Sequence, residues 1–318
     1  TGSCLPDRVM TNRELESIVE TTDEWIQTRT GIRERHIAGP DESTSDMAAQ
    51  AAFRALESAR VDPEHVDAIL VATCTPDTIF PNTACAVQEK IGAKSAFCMD
   101  LSAACSGFLY GMEVGRGLIA SGQCRTVLLI GAEKMSTVVD WQDRTTCVLF
   151  GDGAGAVVLQ TVEGERGVIA SSLGADGSLG NLLGIPGGGS RRPATAESVA
   201  ERLHFIRMEG NQVFRHAVVC MPDAGRKALE QAHLAPTDVD WVIPHQANMR
   251  IVRAIANRAA MPFEKFITNL ERVGNLSAAS IPVALDEAVR DGRIASGQTV
   301  LLVAFGGGFT WGALVLKW

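Results

Sequence analysis

The chain has 318 residues, 29 Lys and Arg against 37 Asp and Glu, a net charge of −8 at pH 7 and 46% apolar residues. That length buries a sizeable core as two domains or one large one, and the acidic balance argues against nucleic acid as the main partner. Eight cysteines without a C-x-x-C pair read as reduced thiols in the cytoplasm, neither a disulfide framework nor a metal site; no apolar run is long enough for membrane insertion, and no signal peptide is visible.

In chain order, Thr11-Asn-Arg-Glu14 is a capping box opening a short helix, and a second helical turn over 22–28 stops at Gly31. Ser45 is expected to cap a helix over 45–59, with Met47, Ala48, Ala51, Ala55 and Leu56 on one stripe. Then come a strand over 68–73, a helix over 81–90 started by Pro81, a strand over 96–101, a helix over 106–120 and a strand over 126–132. Strands rich in Val, Ile and Leu that alternate with helices predict an α/β fold. A glycine-rich stretch over 174–195 reads as a surface loop bordering a site. The second half predicts helices over 213–231, 248–259 and 277–290, and strands over 241–243, 299–305 and 313–317.

The halves repeat one another. DLSAAC, ending at Cys105, matches NLSAAS, ending at Ser280; VDAILVAT from Val66 matches VDWVIPHQ from Val239. IASGQ followed by a TVLL strand occurs at Ile119 and again at Ile294, and FGDGAGAVVL from Phe150 parallels FGGGFTWGALVL from Phe305. Matched blocks in one order mark a duplicated fold. The copies differ at Cys105 against Ser280, Asp100 against Asn275 and Ala72 against His245, which is where chemistry is to be sought.

Cys105 lies where a strand meets a helix, among Ser102, Ala103, Ala104, Ser106 and Gly107. A helix start favours thiolate, and small neighbours leave room for a substrate. An arbitrary cysteine is more often a buried structural thiol; the junction and its Ser280 counterpart single out Cys105, and the other seven read as small hydrophobes. His245 ends a strand, where α/β sheets place ligands, whereas His36, His65, His204, His216 and His233 read as core histidines. Asn275 is either a turn or N-cap residue or, as head of the copied turn, a group facing Cys105. Gly151-Asp-Gly-Ala-Gly155 lacks dinucleotide-binding spacing, while the bare backbone of Gly306 to Gly312 suits an oxyanion hole.

The set TTDEWIQTRTGIRERHI, AACSGF, GDGAGA, PHQAN, GNLSAASIP and AFGGGFTWG resembles β-ketoacyl-acyl carrier protein synthase III, over essentially the whole chain. Ser106 stands where that family usually has alanine. The resemblance implies a thiolase-like, duplicated five-layered αβαβα fold with two pseudo-twofold-related halves, 1–170 carrying the nucleophile and 171–318 carrying His and Asn. It implies a homodimer and a Cys105, His245, Asn275 triad, with the N–H groups of Cys105 and Gly307 as oxyanion hole. The expected reaction is condensation of an acyl-CoA primer with malonyl-acyl carrier protein, without metal or cofactor, CoA thioester being a substrate. Trp25 and Arg144 are expected to flank the adenine of CoA, with Thr21, Arg29, Gly210, Phe214 and Asn248 along its channel. Phe80 is expected to reach across the dimer and limit the acyl pocket; Arg250, Arg253, Arg258 and Arg215, with Lys265 near, are expected to dock the carrier protein.

Other readings compete. A degradative thiolase needs a second catalytic cysteine in the C-terminal half, but the last cysteine is Cys220. An acyl-CoA-primed condensing enzyme of polyketide or other secondary metabolism would use the same triad. A non-catalytic acyl-binding partner subunit would have lost it, and a cysteine hydrolase shares only the residue types.

Overall fold

The structure, a computed structural model, describes residues 1–162, 164 and 166–318. Its strands in order are β1 Gly2–Cys4, β2 Val9–Thr11, β3 Glu34–His36, β4 Ala68–Ala72, β5 Phe97–Leu101, β6 Thr126–Lys134, β7 Asp152–Gln160, β8 Gly167–Ala175, β9 Leu183–Gly184, β10 Arg207–Met208, β11 Trp241–Pro244, β12 Thr299–Gly306 and β13 Thr310–Lys317. The helices are α1 Asn12–Glu16, α2 Asp23–Thr30, α3 Thr44–Ala59, α4 Thr83–Ile91, α5 Gly107–Ala120, α6 Arg144–Cys147, α7 Ala196–Ala200, α8 Gly210–Gln231, α9 Met249–Arg258, α10 Leu270–Val273 and α11 Ser280–Arg290.

Side-chain alternation along the strands sets the layers. On β4, Ile69 and Val71 pack against α3 and α4, while Ala68 and Leu70 face the middle of the molecule. On β12, Val300, Leu302 and Ala304 face that same middle, while Leu301 and Val303 pack against α8 and α9. Between the sheets lie α5, through Phe108, Leu109 and Met112, and α11, through Ile281, Ala284 and Leu285. The result is the expected five-layered αβαβα order. A strand buried on both faces has no polar side to alternate with, hence the continuous apolar runs.

The first sheet runs β1-β7-β6-β4-β5 and the second β8-β13-β12-β11. β6 is parallel to β4 and antiparallel to β7, and β12 is likewise parallel to β11 and antiparallel to β13. The counterpart of β5 is reduced to a single parallel bridge between Val242 and Phe266. β1 closes the first sheet by pairing with β7, and β8 occupies the same place in the second. β8 was not foreseen, and the expected boundary at 170/171 falls inside it.

Several boundaries move for local reasons. The N-cap of α3 is Ser43, in a capping box with Asp46, and not Ser45, whose hydroxyl accepts from Lys90 Nζ. α4 starts at Thr83, two residues after the expected Pro81, with Asn82 as its N-cap. β7 begins at Asp152 because the glycine run is itself strand: a Cβ on Gly155 would lie 2.7 Å from the Val283 nitrogen of α11. The stretch 174–195 holds β9 and a 3-10 turn, and Leu183, Gly184 and Ile185 do border the site.

Candidate functional site

Two turns, one from each half, meet between the layers. Ala104–Ser106 is a 3-10 turn ending β5 and leading into α5; Ser277–Ala279 is its counterpart ahead of α11. They pack on one another but are not congruent. Ala104, just before Cys105, has φ +47°, whereas in the copy Ser277 takes φ +48°. A left-handed alanine costs about 1–2 kcal/mol, so the surroundings hold Cys105 in its strained turn. Ser106 Oγ, buried, donates to the Thr310 carbonyl at 3.1 Å and ties the turn to β13. A Cβ on Gly306 would lie 2.7 Å from the Cys105 nitrogen, so only glycine lets β12 pass this close.

A cavity of about 260 Å3 opens here, with Cys105, His245, Asn275, Ser277, Gly307 and Cys74 in its wall. His245 is held at the end of β11 by its N–H to the Val303 carbonyl, 2.7 Å. The next residue, Gln246, accepts from the Asn269 and Leu270 N–H groups and fixes the segment leading to Asn275. Asn275 Oδ1 accepts the Ser277 N–H at 2.8 Å, so the amide nitrogen is the end left to donate elsewhere. The Gly307 N–H has no acceptor among the described residues.

Burial pushes the Cys105 thiol up to about 12; hydrogen bonding from Ser277 opposes this and the charge of Glu133 adds to it. Burial also pushes His245 down to about 4, with the Ser277 backbone opposing. The resting pair is therefore a neutral thiol and a neutral imidazole. The expectation that the helix start favours thiolate is not met, because α5 begins two residues beyond Cys105 and desolvation dominates. His245 Nδ1 is buried without a partner, a donor or acceptor free for substrate.

Sequence reasoning missed Glu133, on β6. It is fully buried and accepts from the hydroxyls of Thr75 at 2.6 Å, Ser277 at 2.9 Å and Thr73 at 3.2 Å, and from the Cys74 N–H at 3.1 Å. An acidic residue ending an otherwise apolar strand, TVLLIGAEK, was the signal available. Cys74, read as a simple hydrophobe, reaches the cavity with its thiol 3.3 Å from the Glu133 carboxylate. Of the others, Cys85 is exposed, Cys98 and Cys220 are half-buried, and Cys4, Cys124 and Cys147 are buried. The five other histidines are not core residues: each is exposed or half-buried, because each lies on a helix, turn or edge facing solvent.

Gly210 and Asn248 line the cavity, Asn248 also capping α9 through Ile251 N–H at 3.0 Å. Trp25 lies in an apolar cluster with Met208, itself a cavity residue. The Arg144 guanidinium sits over the Trp25 ring at 4.9 Å and Arg29 at 5.8 Å; Arg144 also donates to the Glu20 carbonyl. Thr21 Oγ1 beside them is buried without a partner. Arg250 covers Phe214 at 5.8 Å and Arg253 covers Phe263 at 4.5 Å. Lys265, expected near them, donates from its ammonium to the Val239 carbonyl at 2.5 Å. Phe80 is not brought to this chain's cavity: it is 84% exposed, beside Ile79 at 85%.

Comparison with known proteins agrees with this geometry. Residues 99–177 and 229–318 match the two parts of the family described as 3-oxoacyl-[acyl-carrier-protein (ACP)] synthase III. The "Beta-ketoacyl-[acyl-carrier-protein] synthase III" of Desulfitobacterium hafniense (strain DSM 10664 / DCB-2) is 54% identical over 318 residues, covering 100% of this chain and 96% of that protein. The protein of the same name from Caldanaerobacter subterraneus subsp. tengcongensis is 52% identical with the same coverage. The crystal structure of 3-oxoacyl-[acyl-carrier-protein] synthase III from Aquifex aeolicus VF5 superposes with a TM-score of 0.93 at 47% identity, covering 100% of this chain and 98% of that one. With its duplicated fold and one cavity joining both copies of the turn, the chain belongs to the 3-oxoacyl-[acyl-carrier-protein] synthase III family.

Proposed function

We propose that the chain is the initiating condensing enzyme of type II fatty-acid synthesis, joining an acyl-CoA primer to malonyl-acyl carrier protein. The observation that carries this is the single cavity lined by Cys105, His245, Asn275 and Gly307. Cys105 sulfur attacks the primer thioester, the N–H groups of Cys105 and Gly307 hold the tetrahedral oxyanion, and CoA leaves as the thiol with the proton Cys105 gave up. Malonyl-acyl carrier protein then loses CO2, and its thioester oxygen gains enolate charge. A neutral His245 and the Asn275 amide nitrogen donate to that oxygen; each such donor typically contributes about 3 kcal/mol. The enolate carbon attacks acyl-Cys105 and expels the thiolate, giving the 3-ketoacyl thioester. No step calls for a cofactor.

The neutral state of His245 supports this role. An imidazole that burial keeps uncharged donates a hydrogen bond to a growing oxyanion without giving up a proton beforehand. A non-catalytic subunit would have no use for it.

Adenine of CoA is assigned to the Trp25–Arg144 pair; the guanidinium, which lies over the indole at 4.9 Å, would lift away to let a flat base stack between them. Arg250, Arg215 and Arg253 are exposed and form no ion pair among the described residues, which supports docking of an acidic carrier protein; Arg258 stands farther along α9. A homodimer is supported by β5, which pairs on one side only, with Phe97, Ile79 and Phe80 exposed beside it; Phe80 would then enter the partner's acyl pocket. No helix of the described residues is long and apolar enough to cross a membrane, and the thiol chemistry fits a reducing cytoplasm.

Intact-protein mass spectrometry after mixing with acetyl-CoA tests the reading. One acetyl group on Cys105, absent in Cys105→Ser and discharged by malonyl-acyl carrier protein, is expected. No adduct, or parental turnover by Cys105→Ser, overturns it.

A further inference from the structure

A second cavity, of about 300 Å3, lies between α8, α9 and the outer face of the second sheet. Its walls are apolar, with Leu229, Leu234, Val242, Ile255, Phe266 and Leu301 among them. The catalytic reading leaves it without a use. One residue lines both this cavity and the reaction cavity: Met221, 1% exposed. Val303, whose carbonyl holds the His245 N–H, also faces the second cavity, which therefore runs directly behind the proposed catalytic histidine.

Local sequence makes this partition yielding. Methionine is unbranched with three rotatable side-chain bonds, so it can vacate space at little cost. Pro222 follows it inside α8 and has no N–H to give the Val218 carbonyl, which loosens the helix at that point. From Val213 in the reaction cavity to Leu229 in the second, α8 advances about 24 Å at 1.5 Å per residue. The charged residues of its lining are Asp223, exposed two residues beyond Met221, the Arg226–Glu230 pair at 2.6 Å, and Arg258. The two spaces thus lie on either side of Met221, and Cys105 lines the first.

We propose that the second cavity is a subsite for the distal methylenes of a long acyl group carried on Cys105, and that Met221 is the movable partition admitting them. This rests on the acyl-Cys105 reading given above. An apolar slot across Met221 from a thiol that takes acyl groups fits a hydrocarbon chain, and burial is worth about fourfold in affinity per methylene.

The test compares Cys105 acylation by acetyl-CoA and by dodecanoyl-CoA, read as intact mass, in the full-length protein, Met221→Ala and Gly225→Leu. A side chain on Gly225 grows from α8 into the second cavity, where a Cβ meets only Leu301 and Val303 side chains at 3.5 and 3.6 Å. The dodecanoyl-to-acetyl rate ratio is expected to rise at least tenfold in Met221→Ala and to fall at least tenfold in Gly225→Leu. Should Gly225→Leu fail to fold, a crystal structure of dodecanoyl-loaded Met221→Ala decides: a chain passing position 221 between α8 and α9 supports the subsite, and a chain directed elsewhere overturns it. Acetyl loading with an unchanged ratio in both variants, or no dodecanoyl loading in any of them, overturns the subsite and leaves the condensing reading standing. Failure of acetyl-CoA itself to load Cys105 overturns that reading instead.

Discussion

The Glu133 carboxylate accepts the Ser277 hydroxyl at 2.9 Å, and this bond crosses from the central strand of one half to the copied turn of the other. Every polar neighbour of Glu133 is a donor, which favours the carboxylate even though burial raises its pKa. The Ser277 hydroxyl thus stands between Glu133 and the thiols, 3.8 Å from Cys74 Sγ, and its one proton serves either side.

Glu133→Gln sets an amide N–H2 against those donors. It is expected to lower stability by about 1–3 kcal/mol in denaturant titration, the usual cost of an unsatisfied buried polar group. Because the Glu133 charge raises the Cys105 pKa, the same variant is expected to shift the pH dependence of Cys105 alkylation downward. An upward shift would contradict the arrangement.

Acid is expected to destabilise the protein through His245. Its folded pKa, about 4, lies below the ordinary 6.5, so the contribution of the neutral ring is present above pH 6.5 and is lost as pH falls through 4. A shift of this size corresponds to about 3 kcal/mol. Stability of the parent and of His245→Gln between pH 7 and 4 checks it: the variant should show the flatter curve.

Cys105 has the opposite sign. Its folded pKa, about 12, is above the ordinary 9, so stability is full below pH 9 and declines as pH rises from there toward 12. Alkylation of Cys105 by iodoacetamide should climb about tenfold per pH unit from 7 to 9 without a plateau. A plateau near neutrality would reveal a standing thiolate.

Gly306→Ala places a methyl 2.7 Å from the Cys105 nitrogen and 3.1 Å from that of Ser106. Neither backbone atom can swing aside. At least a hundredfold loss in kcat/KM is expected, with the same secondary structure by circular dichroism; near-parental turnover would refute the tight approach of β12.

Ile79→Asp with Phe80→Asp puts two carboxylates where two large apolar side chains are 85% and 84% exposed. In sedimentation velocity the parent is expected to run as a dimer and the variant as a monomer at micromolar concentration. A dimeric variant would move the interface elsewhere.

Much of this was legible in the amino-acid order. Apolar strands alternating with capped helices, and four blocks repeated in sequence, led to a duplicated α/β fold, because burial on both faces of a sheet leaves a mark on every strand residue, and the family resemblance implied its five layers. The same duplication pointed to Cys105, His245 and Asn275, which end in one cavity.

What the chain order could not convey depends on atoms far apart in sequence. β8, GVIASSLGA, has too short an apolar run to mark a strand until β13 pairs with it, and Glu133 reads as a strand terminus until Thr75 and Ser277 converge on it. The charge state at Cys105 likewise came from the tertiary structure. A helix start argues locally for thiolate, but desolvation by the whole surrounding fold is the larger effect, and no window of sequence contains it.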